Sequence, residues 1–126
     1  MNAVRIVQRQ AELSGSMSRE ECIHLLAREA AELWYPGLAE ALAHAAIERE
    51  STESTYLGRG LAVPHARVPE LPHAAVYLAQ SEGLSWPEEA AQCVALLCVP
   101  AEQPELHLQL LSKIVRWRMK GGALVL

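Results

Sequence analysis

The residues best suited to chemistry lie in one segment of the chain, residues 54–67. It begins with the hydroxyl side chains of Ser54 and Thr55 and continues through Gly58 and Gly60. Hydroxyl groups donate hydrogen bonds to an anion, and glycine lets backbone N–H groups approach it closely. The segment therefore predicts a binding site for a phosphoryl group.

Three arginines in or near this segment add positive charge, namely Arg49, Arg59 and Arg67. Guanidinium groups form strong charge-assisted hydrogen bonds with phosphate oxygens. The segment lacks the Gly-Lys-Ser or Gly-Lys-Thr ending of a nucleotide-binding P-loop. A phosphoryl group that does not belong to a nucleotide is thus the expected ligand.

His65 is the predicted phosphoryl acceptor. It follows an apolar run, residues 60–63, that is typical of a buried strand, and Pro64 ends regular strand pairing between them. The imidazole is therefore expected at the edge of the sheet. With an ordinary pKa of about 6.5 it would be largely neutral near pH 7, with a ring nitrogen free to attack phosphorus. A histidine at a strand end is more often a packed or solvated residue, so this assignment depends on its neighbours.

His107 is the second candidate, because it lies in the first turn of a predicted helix. Unpaired N–H groups and the helix dipole favour an anion at this end of a helix. On its own, His107 would be assigned a capping or surface role. A second histidine placed beside His65 strengthens the prediction of a phosphoryl site.

The apolar pattern predicts the helices that must hold these residues. Residues 18–34 begin with Ser18 and Glu21 at capping-box positions and carry apolar residues at helical spacing. The same spacing recurs over residues 38–50, and again from Pro104 to the two glycines at positions 121 and 122. Helices therefore bracket the middle of the chain.

Three apolar runs between the helices predict strands, at residues 60–63, 74–79 and 93–99. The last run is apolar on both faces, as expected of a central strand covered by helices on each side. Residues 83–87 are predicted to form a turn with a short edge strand. The expected fold is α/β, with a mixed central sheet sandwiched by helices in a single domain over residues 1–126.

The composition excludes several classes of function. The net charge of −4 disfavours nucleic acid and anionic membranes as partners attracted by charge. All 15 acidic residues are Glu, which excludes a response-regulator receiver, an aspartic protease and an Asp-based magnesium site. No apolar run is long enough to span a membrane, so direct membrane insertion is not expected and the chain is expected in the cytoplasm.

The cysteines do not suggest a disulfide framework. The chain has three, Cys22, Cys93 and Cys98, and the last two lie five residues apart in a strand-like run, where they would face opposite sides. No pair of His or Cys residues has metal-ligand spacing, so no metal and no cofactor is expected. A serine hydrolase is disfavoured because the nucleophile-elbow motif is missing.

Several of these residues together resemble a known family, the EIIA domains of the bacterial phosphotransferase system of the fructose, mannitol and nitrogen-regulatory type. The resemblance covers roughly residues 18–118. Since the family usually continues into a further C-terminal helix, the resemblance implies a domain that is either trimmed at its C-terminal end or divergent. It rests on the following positions: Arg49-Glu50, Ser54-Thr55, Gly58, Gly60, Pro64-His65, Glu105-Leu106-His107-Leu108 and Leu110-Leu111.

The resemblance implies an α/β sandwich in which His65 receives phosphate from the phosphocarrier protein HPr and passes it to an EIIB component for sugar uptake. His107 would donate a hydrogen bond to the phosphoryl oxygens, and Arg49 with Ser54 or Thr55 would support the group. A second function stays open. The chain could be a regulatory EIIA-like domain that controls a transporter or kinase by its phosphorylation state or by binding alone.

Overall fold

The computed structural model of the protein describes residues 4–8, 17–122 and 124. These residues form three helices and six strands. In chain order they are β1 (Val4–Gln8), α1 (Arg19–Trp34), α2 (Ala39–Thr52), β2 (Tyr56–Gly58), β3 (Leu61–Ala62), β4 (His65–Arg67), β5 (Ala74–Leu84), β6 (Ala91–Val99) and α3 (Pro104–Lys120).

The predicted helices are confirmed. At the start of α1 the Glu21 N–H donates to Ser18 Oγ at 3.0 Å, and the Ser18 N–H donates to Glu21 Oε1 at 2.8 Å, so the capping box is complete. Helix α2 runs two residues beyond its predicted end, to Thr52. Helix α3 begins at Pro104 and ends before Gly121, as the sequence predicted. No described helix has the length and apolar character that crossing a membrane would need.

The sheet is mixed, with the strand order β1-β5-β6-β3-β2. Strand β6 is antiparallel to β5 and parallel to both β3 and β4, which follow one another along its other side. Leu61 pairs with Cys93, and His65 pairs with Leu97. Strand β6 is therefore the central strand that its apolar sequence predicted.

Two hydrophobic cores cover the two faces of the sheet. Helices α1 and α2 pack on one face, where Leu26, Leu42 and Cys98 are buried, and α3 packs on the other, where Cys93 and Ile114 are buried. The predicted α/β sandwich is confirmed. Cys93 and Cys98 do face opposite sides, as predicted.

All three thiols are free and buried. Burial raises the pKa of Cys22 and of Cys98 to about 12, and that of Cys93 to about 11. A thiol in such surroundings stays protonated near neutral pH, so none of the three is a nucleophile.

The prediction for residues 83–87 is wrong in part. Gly83 and Leu84 belong to strand β5, which continues past a register irregularity after Gln80 until Leu84 pairs with Ala91. Polar residues at positions 80–82 interrupt the apolar pattern, so the sequence did not indicate that the strand continues beyond the sheet core. Strands β1, β2 and β4, which have five, three and three residues, were not predicted from the sequence.

Candidate active site

His65 is the first residue of β4 and is only 6% exposed. The sequence predicted it just beyond a strand, but the chain resumes pairing with β6 immediately after Pro64. The backbone is held on both sides, since Val63 N–H donates to the Thr55 carbonyl at 3.1 Å and Leu97 N–H donates to the Pro64 carbonyl at 2.9 Å. The imidazole therefore projects from a rigid part of the sheet.

His107 contacts His65 directly. The two ring centroids lie 4.3 Å apart with an interplanar angle of 89°, an edge-to-face arrangement. Helix α3 supplies His107 from the layer opposite α2. The structure thus brings together the two histidines that the sequence singled out 42 positions apart, at 65 and 107.

The histidines open onto a cavity of about 480 Å³ between α2, β4 and α3. Its lining residues are Ala45, Glu48, Arg49, Thr52, His65, Arg67 and His107. Both arginines are held by backbone carbonyl groups. Arg49 Nη1 donates to the Glu53 carbonyl at 2.6 Å, and Arg67 Nη2 donates to the Ala101 carbonyl at 3.1 Å. A guanidinium has five N–H donors, so each arginine can also bind an anion in the cavity.

Both histidines are neutral at pH 7. Burial lowers the pKa of His65 to about 4, with further lowering by His107 and Arg49, while the carbonyl groups of Pro64 and Val63 oppose part of the shift. Burial also lowers the pKa of His107, together with the charges of Arg67 and Arg49. The Nδ1 atoms of both rings are buried and have no hydrogen-bond partner among the described residues. Each ring therefore keeps a lone pair at neutral pH.

Ser54 and Thr55 do not line the cavity. The Ser54 hydroxyl donates to Glu88 at 2.9 Å, and the buried Thr55 uses both its hydroxyl and its N–H to bind Glu50. The two predicted phosphate-binding hydroxyls are thus engaged by carboxylates.

The glycines and Arg59 also lie away from the cavity, in the turn between β2 and β3. Arg59 has a positive φ of 54°, and its carbonyl accepts two hydrogen bonds from Arg118. At Gly60, with φ +74°, an added Cβ would lie 2.8 Å from the side-chain oxygen of Gln92. The glycines therefore serve a tight turn against β6, and not the approach of an anion.

The sequence interpretation overlooked three cavity residues, Ala45, Glu48 and Thr52. A signal was available, because Ala45 and Thr52 lie four residues before and three residues after Arg49 along α2 and so share its helix face. Glu48 in turn lies three residues after Ala45 and four before Thr52. In the described ranges no cluster of three His, Cys or Glu side chains could hold a metal ion. The cavity offers two neutral imidazoles and two cations, which together suit a reaction at a phosphoryl group. Its one carboxylate, Glu48, contacts Nε2 of the exposed His44 at 2.7 Å.

The fold and this pocket define an α/β domain that presents a histidine beside cationic groups. Residues 8–122 match the protein family described as "Phosphoenolpyruvate-dependent sugar phosphotransferase system, EIIA 2". The chain belongs to this family, as its motifs predicted.

One relative is the "PTS system 2-O-alpha-mannosyl-D-glycerate-specific EIIABC component" of Escherichia coli (strain K12). It is 39% identical over 103 residues, which are 77% of this chain and 16% of that protein. This chain therefore spans only a small part of the length of that relative.

Two solved structures from E. coli have a similar fold. The crystal structure of IIA mannitol has a TM-score of 0.65 at 21% identity and covers 90% of this chain and 77% of its own. The complex of enzyme IIAMTL and phosphorylated enzyme IIBMTL has a TM-score of 0.63 at 20% identity, covering 92% and 80%. These similarities support the fold that the sequence predicted.

Proposed function

We propose that this chain accepts a phosphoryl group from phosphorylated HPr on His65 and passes it to an EIIB component of a sugar phosphotransferase system. The observation that carries the proposal is the contact between a buried, neutral His65 and His107 in a cavity that also holds Arg49 and Arg67. The relay would work in the cytoplasm, with residues 1–126 acting as one domain.

Nε2 of His65 is the reacting atom in this proposal. Nδ1 is buried, so Nε2 is the ring nitrogen that can face the cavity. Its lone pair attacks the phosphorus of the donor phosphohistidine. The new N–P bond forms as the donor's N–P bond breaks, and the donor imidazole leaves with that electron pair. The step uses the tautomer that carries its hydrogen on Nδ1, so no proton has to leave this ring.

The cations around His65 stabilise the charge of the transferring group. Phosphoryl transfer depends mainly on alignment of donor and acceptor and on neutralisation of charge on the equatorial oxygens. Arg49 and Arg67 supply fixed positive charge, and His107 can donate an N–H hydrogen bond. The same groups would hold the phosphoryl group until it moves on to EIIB by the reverse of these steps.

Donor and acceptor must reach the same nitrogen, so they bind in turn. A solved relative is described as a complex of IIAMTL with phosphorylated IIBMTL, which supports EIIB as the partner on the acceptor side. The sugar stays unassigned, because one relative is named for mannosylglycerate and another for mannitol.

The proposal is tested by intact-mass measurement after incubation with phosphorylated HPr. We expect the mass of one added phosphoryl group, and we expect that addition to disappear when a phosphotransferase EIIB domain is supplied. IIA mannitol in a parallel reaction shows that the donor is competent. A chain that stays unmodified while IIA mannitol is labelled would remove the proposed function.

His107→Ala should slow transfer without abolishing it. A lost hydrogen bond to a charged group costs about 1.5–3 kcal/mol, which corresponds to about a tenfold to hundredfold lower rate if it acts mainly in the transition state. The measurements are the rates of phosphate arrival from HPr and departure to EIIB, with far-UV circular dichroism to check the fold. Unchanged rates would make His107 a bystander. Complete loss of labelling in a folded variant would reverse the roles of the two histidines.

A further inference from the structure

Glu50 is a buried carboxylate directly after Arg49 in α2, and only 4% of its surface is exposed. Its Oε2 accepts the Thr55 N–H at 2.8 Å and the Trp86 indole N–H at 3.3 Å, while Oε1 accepts the Thr55 hydroxyl. Arg19 Nη1 lies 3.7 Å from Oε2. One carboxylate thus ties together the start of α1, the end of α2, the approach to β2 and the loop after β5.

This arrangement costs free energy to bury and has no obvious benefit for stability. Removing a carboxylate from water carries a penalty of several kcal/mol, and apolar packing at such a site is often as stable as a buried ion pair. A buried polar network does, however, fix one arrangement of the backbone, because any shift leaves donors unpaired. The expected benefit of the buried carboxylate is therefore a fixed arrangement of the backbone segments around it.

The segments that Glu50 holds are those that carry the two cavity residues. Arg49 is its neighbour in the helix, and the Arg49 guanidinium is further held by the carbonyl of Glu53, within the link to β2. The Thr55 carbonyl accepts the N–H of Val63, two residues before His65. Glu50 is therefore linked to Arg49 directly through the helix backbone. It is linked to the strand that leads to His65 through two hydrogen bonds, from Thr55 N–H to Glu50 and from Val63 N–H to Thr55.

We propose that Glu50 is a positioning residue for phosphoryl transfer, which sets the place of Arg49 relative to His65 by holding Thr55. The proposal rests on the function proposed above. It also gives Thr55 a different role from the predicted one: its hydroxyl binds the positioning carboxylate instead of the phosphoryl group. Neither side chain lines the cavity, so neither touches the reacting atoms.

Glu50→Gln keeps the size of the side chain but removes its charge, so its oxygen binds the Thr55 and Trp86 N–H groups more weakly and no longer attracts Arg19. Its NH2 group can only donate, so the Thr55 hydroxyl has to reverse from donor to acceptor. We expect a folded protein in which the transfer rate at saturating phosphorylated HPr falls about tenfold to a hundredfold, as for small misplacements of reacting groups. The HPr concentration for half-maximal rate should change by less than about twofold, because the surface that the donor meets is unaltered. The NMR signals of the His65 ring and the Arg49 side chain should shift.

Tyr77→Phe is the matched control for lost stability. It removes a different hydrogen bond to a glutamate, the partly buried one from the hydroxyl of the core residue Tyr77 to Glu29 of α1. We expect lower stability with the parent transfer rate and unshifted His65 signals. A rate loss in Tyr77→Phe as large as in Glu50→Gln would show that stability alone is responsible and would overturn the proposal.

Two substitutions at Thr55 decide the matter if Glu50→Gln does not fold. Thr55→Ser keeps the hydroxyl and should transfer near the parent rate, whereas Thr55→Val loses it and should be slow at saturating donor. Equal rates for the two variants would overturn the positioning role while the parent still becomes phosphorylated. A parent protein that is never phosphorylated would instead remove the proposed function itself.

Discussion

His65→Ala should take no phosphate from phosphorylated HPr. The substitution removes the imidazole that strand β4 presents to the cavity, and loss of a nucleophile commonly costs a thousandfold or more, on the order of 10⁶ in a serine protease. His107 is the nearest other imidazole, and it begins a helix whose donors suit a bound anion better than an attacking group. The measurement is intact mass over time, followed by location of the modified peptide.

The phosphorylated parent provides a second criterion, because a bond between phosphorus and an imidazole nitrogen is labile in acid. His24→Ala is the matched control, since His24 is an exposed histidine on α1 and should label like the parent. A His65→Ala protein that labels at the parent rate, with the modification on another residue, would show the site assignment to be wrong.

The free energy of unfolding should fall as the pH drops from about 6.5 to about 4. In the folded state the pKa of His65 is about 4, whereas in the unfolded chain a histidine has a pKa of about 6.5. Between these values the unfolded chain binds a proton that the folded protein does not, so lowering the pH favours unfolding. The loss in the free energy of unfolding grows as the pH falls through this range and reaches its full size, on the order of 3 kcal/mol, only below the folded pKa.

This prediction is checked by urea unfolding at a series of pH values in parent and His65→Ala proteins. The lowered pKa of His107 acts in the same direction, so the difference between the two proteins isolates His65. NMR titration of the His65 ring should give a midpoint near 4. A midpoint near 6.5, with equal pH dependence in both proteins, would contradict the buried, neutral state on which the nucleophile depends.

The layers of the fold were predictable from the sequence because their signals are local. The capping box at Ser18 and Glu21, the apolar spacing of three helices and the doubly apolar run of β6 each depend on neighbours in the chain. The short strands were not predictable in this way. Strand β4 consists of His65, Ala66 and Arg67, and its pairing is set by β6, about thirty residues later.

The types of residue that line the candidate site were predictable from the sequence, but the hydrogen-bond partners of the neighbouring residues were not. Arg49, His65 and His107 do meet, and their types alone indicated phosphoryl chemistry. Residue type alone did not predict the role of Thr55, because a hydroxyl close to a histidine in the chain can donate to a buried carboxylate as well as to a phosphoryl group. Glu50 and Thr55 are five residues apart, but the bend of the chain at the end of α2 decides that they face one another. That bend depends on contacts with Trp86 and Arg19 from distant parts of the sequence.

The burial of all three thiols makes the native protein inert toward alkylating dyes. A cysteine introduced at Leu108, which is 66% exposed and follows His107, would be the only accessible thiol. Such a variant needs no prior removal of native cysteines, and its dye would be attached one residue from His107. The burial of the native thiols thereby provides a ready background for fluorescence measurements of the proposed exchange between donor and acceptor at His65.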